Sequence, residues 1–201
     1  MQRRSVRNRT DPGAVVARAA LTTIRGSVVS IPDDDALVHL QFRRFAGCPI
    51  CDLHLSSFAR RHQEIDAAGI REVVVFHSTT AALLPFAADL PFAVIADPDK
   101  WLYGEFGVEA APRALLDARA WGAMLLGLYR SARKIVQGAQ PVPSLSPAGG
   151  RFGLPADFLI DRDGVVIARR YGAHAYDQWS VDQLLALTGS QRAMAGHAVP
   201  G

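Results

Sequence analysis

Two cysteines three positions apart constrain this chain more than any other feature of its 201 residues. They are the only cysteines, and they stand in the segment Cys-Pro-Ile-Cys at positions 48–51. A disulfide across so short a loop stabilises a fold little, because the gain from cross-linking grows with loop length. A disulfide-stabilised small protein also carries several cysteines spread apart. The pair is therefore expected to serve chemistry or metal binding.

The residues on either side of the pair predict its place in the fold. Residues 37–42 alternate in character and are typical of a central strand. After Cys51, apolar residues at near-helical spacing continue to Gly69, which is expected to end a long helix. The cysteines thus stand where a strand leads into the start of a helix.

Later segments predict the rest of a mixed sheet. Residues 72–77 and 92–96 are β-branched or apolar runs, typical of parallel strands buried on both faces. Residues 156–160 and 165–169 flank an Asp-Gly turn and predict a hairpin, and a closing helix is expected from Ser180. This order predicts an α/β sandwich with a mixed central sheet flanked by helices. A strand followed by C-x-x-C at a helix start in that context indicates the thioredoxin fold.

The domain organisation follows from the same patterns. One domain is predicted over residues 15–188, with mobile tails at 1–14 and 189–201. A helical insertion is expected at about 112–153, before the last hairpin. Its amphipathic helix favours packing on the protein's own core, while a lid over the site or a contact in a homodimer stays open. Residues 15–21 are expected to form a short helix.

Charge and hydropathy exclude several functions. The net charge is +3 and the isoelectric point about 9.2, yet the basic residues are scattered among 19 acidic ones without a basic stripe. This distribution argues against nucleic-acid binding. The longest strongly apolar stretch without charge, residues 120–129, is half of the ~20 residues that a membrane span needs. The basic N-terminus leads into no apolar segment, so no secretory signal is predicted and a cytoplasmic location is expected.

The cysteine spacing favours dithiol redox chemistry. A thiol reacts as the thiolate, which the N-terminus of a helix stabilises, so one or both cysteines are expected to have a lowered pKa. Pro49 suits the first helical position, where the N–H that it lacks has no partner. A zinc site that includes His54 and His62 is disfavoured, since no second ligand pair exists. Two inert cysteines remain the other alternative, and His54 is expected to be a surface residue.

A second element lies next to the predicted hairpin. Pro155 immediately precedes the strand at 156–160. In thioredoxin-like proteins a cis-proline at this place faces the cysteine pair and leaves backbone groups free to bind a substrate as an added strand. A cis bond and a substrate-binding role are therefore expected at Pro155, with Pro49 on the cysteine side of the same site.

Three segments carry a resemblance to a known family. Residues 45–51, 154–164 and 171–174 resemble the peroxiredoxin-like branch of the alkyl hydroperoxide reductase/thiol-specific antioxidant superfamily. The resemblance covers about residues 15–188, including the helical insertion. It implies a thioredoxin fold, antioxidant or redox activity, and no organic or metal cofactor.

The chain departs from the peroxiredoxin pattern P-x-x-x-T/S-x-x-C at several positions. If Cys51 is aligned with the peroxidatic cysteine that ends this pattern, Cys48 stands at the Thr/Ser position and Arg44 at the Pro position. The place of the family's catalytic arginine falls on Pro155. In peroxiredoxins the Thr and the Arg orient the peroxide and lower the pKa of the thiol, so the absence of both predicts a modest peroxidase rate. Three arginines are candidates to replace the missing one: Arg43, Arg44 and Arg151.

The resulting hypothesis is a cysteine-based antioxidant oxidoreductase. In its first form, the Cys51 thiolate attacks a peroxide and Cys48 condenses with the sulfenic acid to a disulfide. A thioredoxin-like protein or a small thiol then restores the pair. In the alternative, Cys48, expected to be the more exposed cysteine, attacks a substrate disulfide and Cys51 resolves the mixed disulfide. A third hypothesis is a redox-responsive binding module that presents the helix at 112–137 to a partner.

Overall fold

A computed structural model of the chain describes residues 9–108, 121–144, 150 and 153–196, and for 190–196 it describes the backbone alone. The elements in chain order are β1 (Ala19–Thr22), β2 (Val28–Ile31), β3 (Leu37–Arg43), α1 (Pro49–Arg60), α2 (His62–Ala67), β4 (Ile70–Phe76), α3 (Thr80–Ala87), β5 (Ala93–Ala96), α4 (Trp101–Glu105), α5 (Trp121–Val136), β6 (Ala156–Ile160), β7 (Val166–Tyr171) and α6 (Val181–Gly196). Within the described ranges, no helix is long and apolar enough to span a bilayer.

The central sheet is mixed, as the sequence predicts. Its five strands lie in the order β5-β4-β3-β6-β7. Strands β3, β4 and β5 pair in parallel, whereas β6 and β7 are antiparallel additions on the other side of β3. The predicted sandwich is confirmed, and β3, which leads into the cysteine pair, is its central strand.

The two faces of this sheet differ in chemistry. One face is apolar, with Leu40, Phe42 and Phe158 among its buried residues, and packs against α4 and β2. The opposite face packs against α1, α3 and α6. In its middle lies a group of buried polar side chains, called here the buried polar row: His39, Gln41, Arg43, Glu72 and Asp157.

The ends of the domain differ from the prediction. Residues 19–22 form strand β1, paired with β2, instead of the last turn of a helix over 15–21. Ahead of β1, the backbone of residues 13–16 hydrogen-bonds around Gly164 and Val166, so part of the expected mobile tail is fixed to the last hairpin. Helix α6 continues to Gly196 and so includes much of the tail expected from residue 189. The free N–H and C=O groups at the hairpin edge explain why the N-terminal segment pairs there. Residues 1–8 and 197–201 lie outside the described ranges.

Candidate active site

Helix α1 begins at the cysteine pair. Cys48 is its N-cap residue, in an extended backbone conformation, and its Sγ accepts a hydrogen bond from the Cys51 amide at 3.3 Å. Pro49 occupies the first helical turn, where its missing N–H costs nothing. Cys51 follows within that turn. The predicted position of both sulfurs at a helix N-terminus is confirmed.

The two thiols are reduced, adjacent and buried. Their sulfurs lie 2.6 Å apart in a hydrogen-bond contact. Cys48 is 2 % exposed and Cys51 4 % exposed. The expectation that Cys48 is the more exposed cysteine is therefore wrong. The reason is the packing of α5, which covers the start of α1.

Arg44 supplies a cation to the pair. It follows β3 directly, and its Nη2 donates to Cys48 Sγ at 3.0 Å, with the side chain buried. A guanidinium keeps its charge in any protein environment. Of the two candidate arginines that the structure describes, Arg44 reaches a sulfur, whereas Arg43 contacts His54 and Asp157. The third candidate, Arg151, lies outside the described residues.

The environment separates the acidities of the two thiols. Burial by itself raises the pKa of Cys51, but a hydrogen bond from Cys48 and the charge of Arg44 outweigh it and lower that pKa to about 6. Burial and the contact with Cys51 raise the pKa of Cys48 well above its usual value. Arg44 Nη2 and the Cys51 amide nevertheless donate to Cys48 Sγ. These contacts agree with the acidities if Cys48 keeps the proton, donates it to Cys51 and accepts the two hydrogen bonds on its lone pairs. With the proton in this position the thiolate lies on Cys51, whereas a hydrogen bond donated by Cys51 to Cys48 would place it on Cys48.

Helix α5, the described part of the insertion, packs on α1 and covers the pair. A Cβ on Gly127 would lie 2.7 Å from the Pro49 carbonyl oxygen, so the absence of a side chain lets the two helices approach this closely. Lys134 Nζ lies 2.8 Å from both carboxylate oxygens of Asp52. The described part of the insertion therefore packs on α1 above the cysteine pair. Several of its apolar residues stay exposed, among them Leu125, Tyr129 and Val136, so the contact in a homodimer stays a prediction.

The space beside the sulfurs is small and lies next to an apolar cleft. A cavity of about 30 Å³ is lined by both cysteines together with Leu83, Phe86 and Ser131, among others. This volume suits a molecule of about the size of water or slightly larger. Phe45, Gly47 and Ser131 also border a cleft of about 330 Å³ between α5 and the start of α1, where Pro49 and Ile135 line its wall.

Gly47 fixes the loop ahead of the pair. Its φ of +74° lies in the left-handed region that favours glycine. A Cβ there would also lie 2.8 Å from the Phe86 ring and 2.9 Å from Pro143. Both constraints require glycine, which lets α3 and the segment after α5 close over the loop.

His54 and His77 are buried rather than exposed. His54 is 5 % exposed, and its Nε2 lies 3.1 Å from Arg43 Nη2, so its placement at the surface was wrong. Burial, followed by the charge of Arg43, holds the pKa of His54 well below its usual range. His77 is also buried, and neither ring nitrogen has a hydrogen-bond partner in the part of the chain that the structure describes.

The prediction of a cis bond at Pro155 is wrong. Among the described residues the cis peptide bond is Ile31–Pro32, so Leu154–Pro155 is trans. The carbonyl of Pro155 accepts a hydrogen bond from the Gly172 amide at 2.8 Å, and its ring lies against Gly172. Pro155 thus extends the β6–β7 ladder by one residue. Its substrate-binding role stays a prediction without the cis bond as support.

A buried cysteine pair at the start of the helix that follows the central strand of such a sheet defines a thioredoxin-like protein. The chain also matches the family model described as AhpC/TSA antioxidant enzyme over residues 57–174, more than half of its length. The chain belongs to this family, and the predicted superfamily is confirmed. The match begins after Cys51, so the roles of the two cysteines rest on the site's own geometry. No curated protein matches the chain.

Solved structures with the same fold include peroxiredoxins and a thiol:disulfide interchange protein. Peroxidoxin BcpB from Mycobacterium tuberculosis superposes with a TM-score of 0.63 at 17% identity, over 90% of this chain and 97% of that one. A putative thiol:disulfide interchange protein DsbE from Chlorobium tepidum gives 0.53 at 22% identity, over 90% and 99%. A cysteine-to-serine mutant of the peroxiredoxin 6 of Arenicola marina gives 0.65 at 13% identity, over 92% and 74%. At these identities the likeness shows the fold.

Sequence reasoning missed the buried polar row. His39, Gln41 and Arg43 alternate with apolar residues along β3, a pattern that also fits a strand with one face in water. The signal that distinguishes the two cases is Asp157, an acidic residue inside an otherwise apolar run. Polar residues at inward positions of two different central strands indicate side chains that pair with each other across the sheet.

Proposed function

We propose that the protein is a thiol peroxidase that reduces a small peroxide through a Cys51–Cys48 disulfide cycle. One observation carries the proposal: the pair is buried at a cavity of about 30 Å³, with a guanidinium 3.0 Å from Cys48 Sγ. The cavity suits an oxidant of a few atoms, and the cation stabilises the thiolate that attacks it.

The chemical steps balance with one external reductant. The Cys51 thiolate attacks one peroxide oxygen, the O–O bond breaks, and the departing oxygen takes a proton to leave as water or an alcohol. Cys51 is now a sulfenic acid. The Cys48 thiol attacks the Cys51 sulfur, the disulfide forms, and the sulfenic hydroxyl leaves as water. An external dithiol, or two small thiols, returns two electrons and two protons.

Arg44 takes over the part of the catalytic arginine that this sequence lacks at Pro155. Its guanidinium offsets the negative charge of the dithiol, and the same charge attracts the electron-rich peroxide oxygens. Because Arg44 follows β3 directly, its position is fixed by the central strand rather than by a flexible loop.

A thiol–disulfide oxidoreductase is the second candidate, and the DsbE-like neighbour supports it at the level of fold. The burial of both sulfurs argues against it, since a protein disulfide must reach the attacking sulfur directly. The same burial means that the disulfide must become accessible when a thioredoxin-like donor, rather than a small thiol, reduces it. Both kinds of reductant belong to a reducing compartment such as the cytoplasm.

The test is chemical trapping of the oxidised sulfur. The Cys48→Ser variant, treated with stoichiometric hydrogen peroxide, is expected to form a sulfenic acid on Cys51 that a dimedone probe captures for mass spectrometry. The Cys51→Ser variant is expected to form none. Capture on Cys48 in the Cys51→Ser variant, with none on Cys51 in the other, would reverse the roles and favour the disulfide-oxidoreductase function.

A matched pair of arginine variants tests the cation. Arg44→Gln is expected to slow the oxidation of Cys51 by about tenfold or more, because it removes a charge next to the thiolate. Arg60→Gln changes an exposed arginine in the last turn of α1, the helix that carries Cys51, and is expected to leave the rate unchanged. Equal rates in the two variants would contradict the role of Arg44.

A further inference from the structure

The buried polar row places a second arginine under the helix that carries the dithiol. Arg43 is 1 % exposed and lies on the face of β3 that packs against α1. Its Nη2 lies 2.7 Å from Asp157 Oδ1 and 3.1 Å from His54 Nε2. His54 stands three residues after Cys51, on the next turn of α1. A permanent charge is thus held one helical turn from the reactive sulfur.

Asp157 has the contacts of a residue that orients this charge. One carboxylate oxygen accepts from Arg43, and the other accepts from the Trp179 amide at 3.1 Å. His39 Nε2 lies 3.4 Å from Asp157 Oδ1, the oxygen that also accepts from Arg43. Asp157 is completely buried, so its contact with Arg43 is not screened by water. The carboxylate fixes the guanidinium and offsets part of its positive potential.

Proton transfer through the row is not a reasonable alternative. Arg43 joins the rest of the row to His54, and a guanidinium does not release its proton in a protein. The influence of the row on Cys51 is therefore electrostatic. The groups that act on Cys51 are the Cys48 thiol through its hydrogen bond, and the charges of Arg44 from the loop and Arg43 from the sheet.

We propose that Asp157 is a positioning residue of the dithiol site, which holds Arg43 against His54 and sets how much of its charge reaches Cys51. The proposal deepens the proposed function because it concerns the same thiolate. Removing either partner of the pair breaks the same ion pair, yet the two changes act on Cys51 with opposite signs. Loss of Arg43 removes a favourable charge, whereas loss of the Asp157 charge leaves Arg43 uncompensated.

The test is a pH titration of thiolate absorbance at 240 nm in the Cys48→Ser background, where Cys51 is the titrating thiol. Arg43→Met is expected to raise the pKa of Cys51 by about one unit, and Asp157→Asn to lower it by a similar amount. A purely structural role would shift both variants the same way or neither. Either of those results would overturn the proposal.

Two further variants keep the test decisive. Glu72→Gln alters the far end of the buried polar row, where Glu72 contacts His39 and Gln41. It is expected to leave the pKa of Cys51 within about 0.3 units of the parent, and a shift as large as that of Asp157→Asn would overturn the proposal. The double variant Arg43→Met/Asp157→Asn leaves no unpaired charge where a single variant fails to fold. Its Cys51 pKa is expected above that of the parent, and an unchanged or lower value would contradict the proposal.

This titration is independent of peroxide turnover. Opposite shifts in a protein that never consumes peroxide would refute the proposed function and support the role of Asp157. If the pKa of Cys51 shifts in the same direction in both variants of a protein that does consume peroxide, the role of Asp157 is refuted and the proposed function is supported.

Discussion

The two faces of the central sheet are built from alternate residues of the same strands but have different compositions. On the face toward α4, Val38, Leu40 and Phe42 of β3 pack with aromatic rings from β6 and α4. On the face toward α1, the alternate residues of the same strand are His39, Gln41 and Arg43, equally buried. Burying charge costs free energy unless it is paired. Both faces bury apolar residues that stabilise the fold, and the second face also holds paired charges beneath the dithiol.

The largest expected effect breaks the apolar face. Phe158 is completely buried and contacts the rings of Phe42, Phe106 and Tyr171. Phe158→Ala is expected to lower the free energy of unfolding by about 3–5 kcal/mol, from lost contacts and a cavity. Urea denaturation measures this loss. The folded fraction should keep the parent's Cys51 titration, and a shifted titration would show that the two faces are not independent.

The next prediction concerns pH and the polar face. Burial would lower the pKa of His39, but Glu72 and Asp157 outweigh it and raise that pKa to about 9 from an ordinary 6.5. Its stabilisation is thus full below pH 6.5 and lost as the pH rises through 9. Cys51 acts in reverse: its folded pKa of about 6 lies below its usual 9.0, so its stabilisation is lost as the pH falls through 6.

Two variants separate the contributions of His39 and Cys51 to the pH dependence of stability. Between pH 6.5 and 9, Cys51→Ser is expected to lose roughly 3 kcal/mol of unfolding free energy, because only the His39 contribution remains. His39→Gln is expected to gain stability over the same range, while the parent changes least. Urea denaturation of reduced protein at both pH values checks this. A Cys51→Ser variant with constant stability would mean that His39 is uncharged.

A smaller effect is expected where α5 covers the polar face. Gly127→Ala places a methyl group against the Pro49 backbone, which cannot rotate away. The cost is expected to be about 1–3 kcal/mol, with faster reaction of the cysteines toward an aromatic disulfide reagent. Gly122→Ala is the matched control, since nothing lies within 4 Å of its added Cβ in the same helix. An equal thiol reaction rate in both variants would mean that α5 does not limit access.

The smallest effect belongs to the ion pair between the same helices. Lys134 and Asp52 are partly exposed, at 40% and 29% of their side chains. Lys134→Met is expected to cost about 0.2–1 kcal/mol in low salt, and the difference should shrink in high salt. Thermal unfolding at two salt concentrations measures it. A larger loss that salt does not alter would indicate that the lysine packs rather than pairs.

The local structure of the site could be predicted from the sequence. Alternation along β3 predicted the central strand, and the Cys-x-x-Cys spacing after it predicted sulfurs at a helix N-terminus, both confirmed. Arg44 was one of three arginines considered. Its selection required the path of the chain after β3, which no local pattern specifies.

Contacts between residues that are distant in the sequence could not be predicted from local patterns. Periodicity shows that His39 and Arg43 share a face, but it does not show whether water or another element covers that face. The partners Glu72 and Asp157 come from strands that follow much later in the chain. His54 was misplaced for the same reason, since its burial depends on Arg43 below it. The cis bond expected at Pro155 rested on analogy with other proteins of the fold, and no local pattern in the sequence specifies the isomer of that bond.

The most direct test of the central claim is the amount of hydrogen peroxide consumed per protein molecule with excess dithiothreitol present. The proposed dithiol cycle predicts that the parent consumes peroxide in many-fold excess over protein, above the rate of dithiothreitol alone. The Cys51→Ser variant is expected to fall to that background rate. Consumption by the parent that stops near one equivalent would contradict catalysis and leave a redox-responsive binding module in its place.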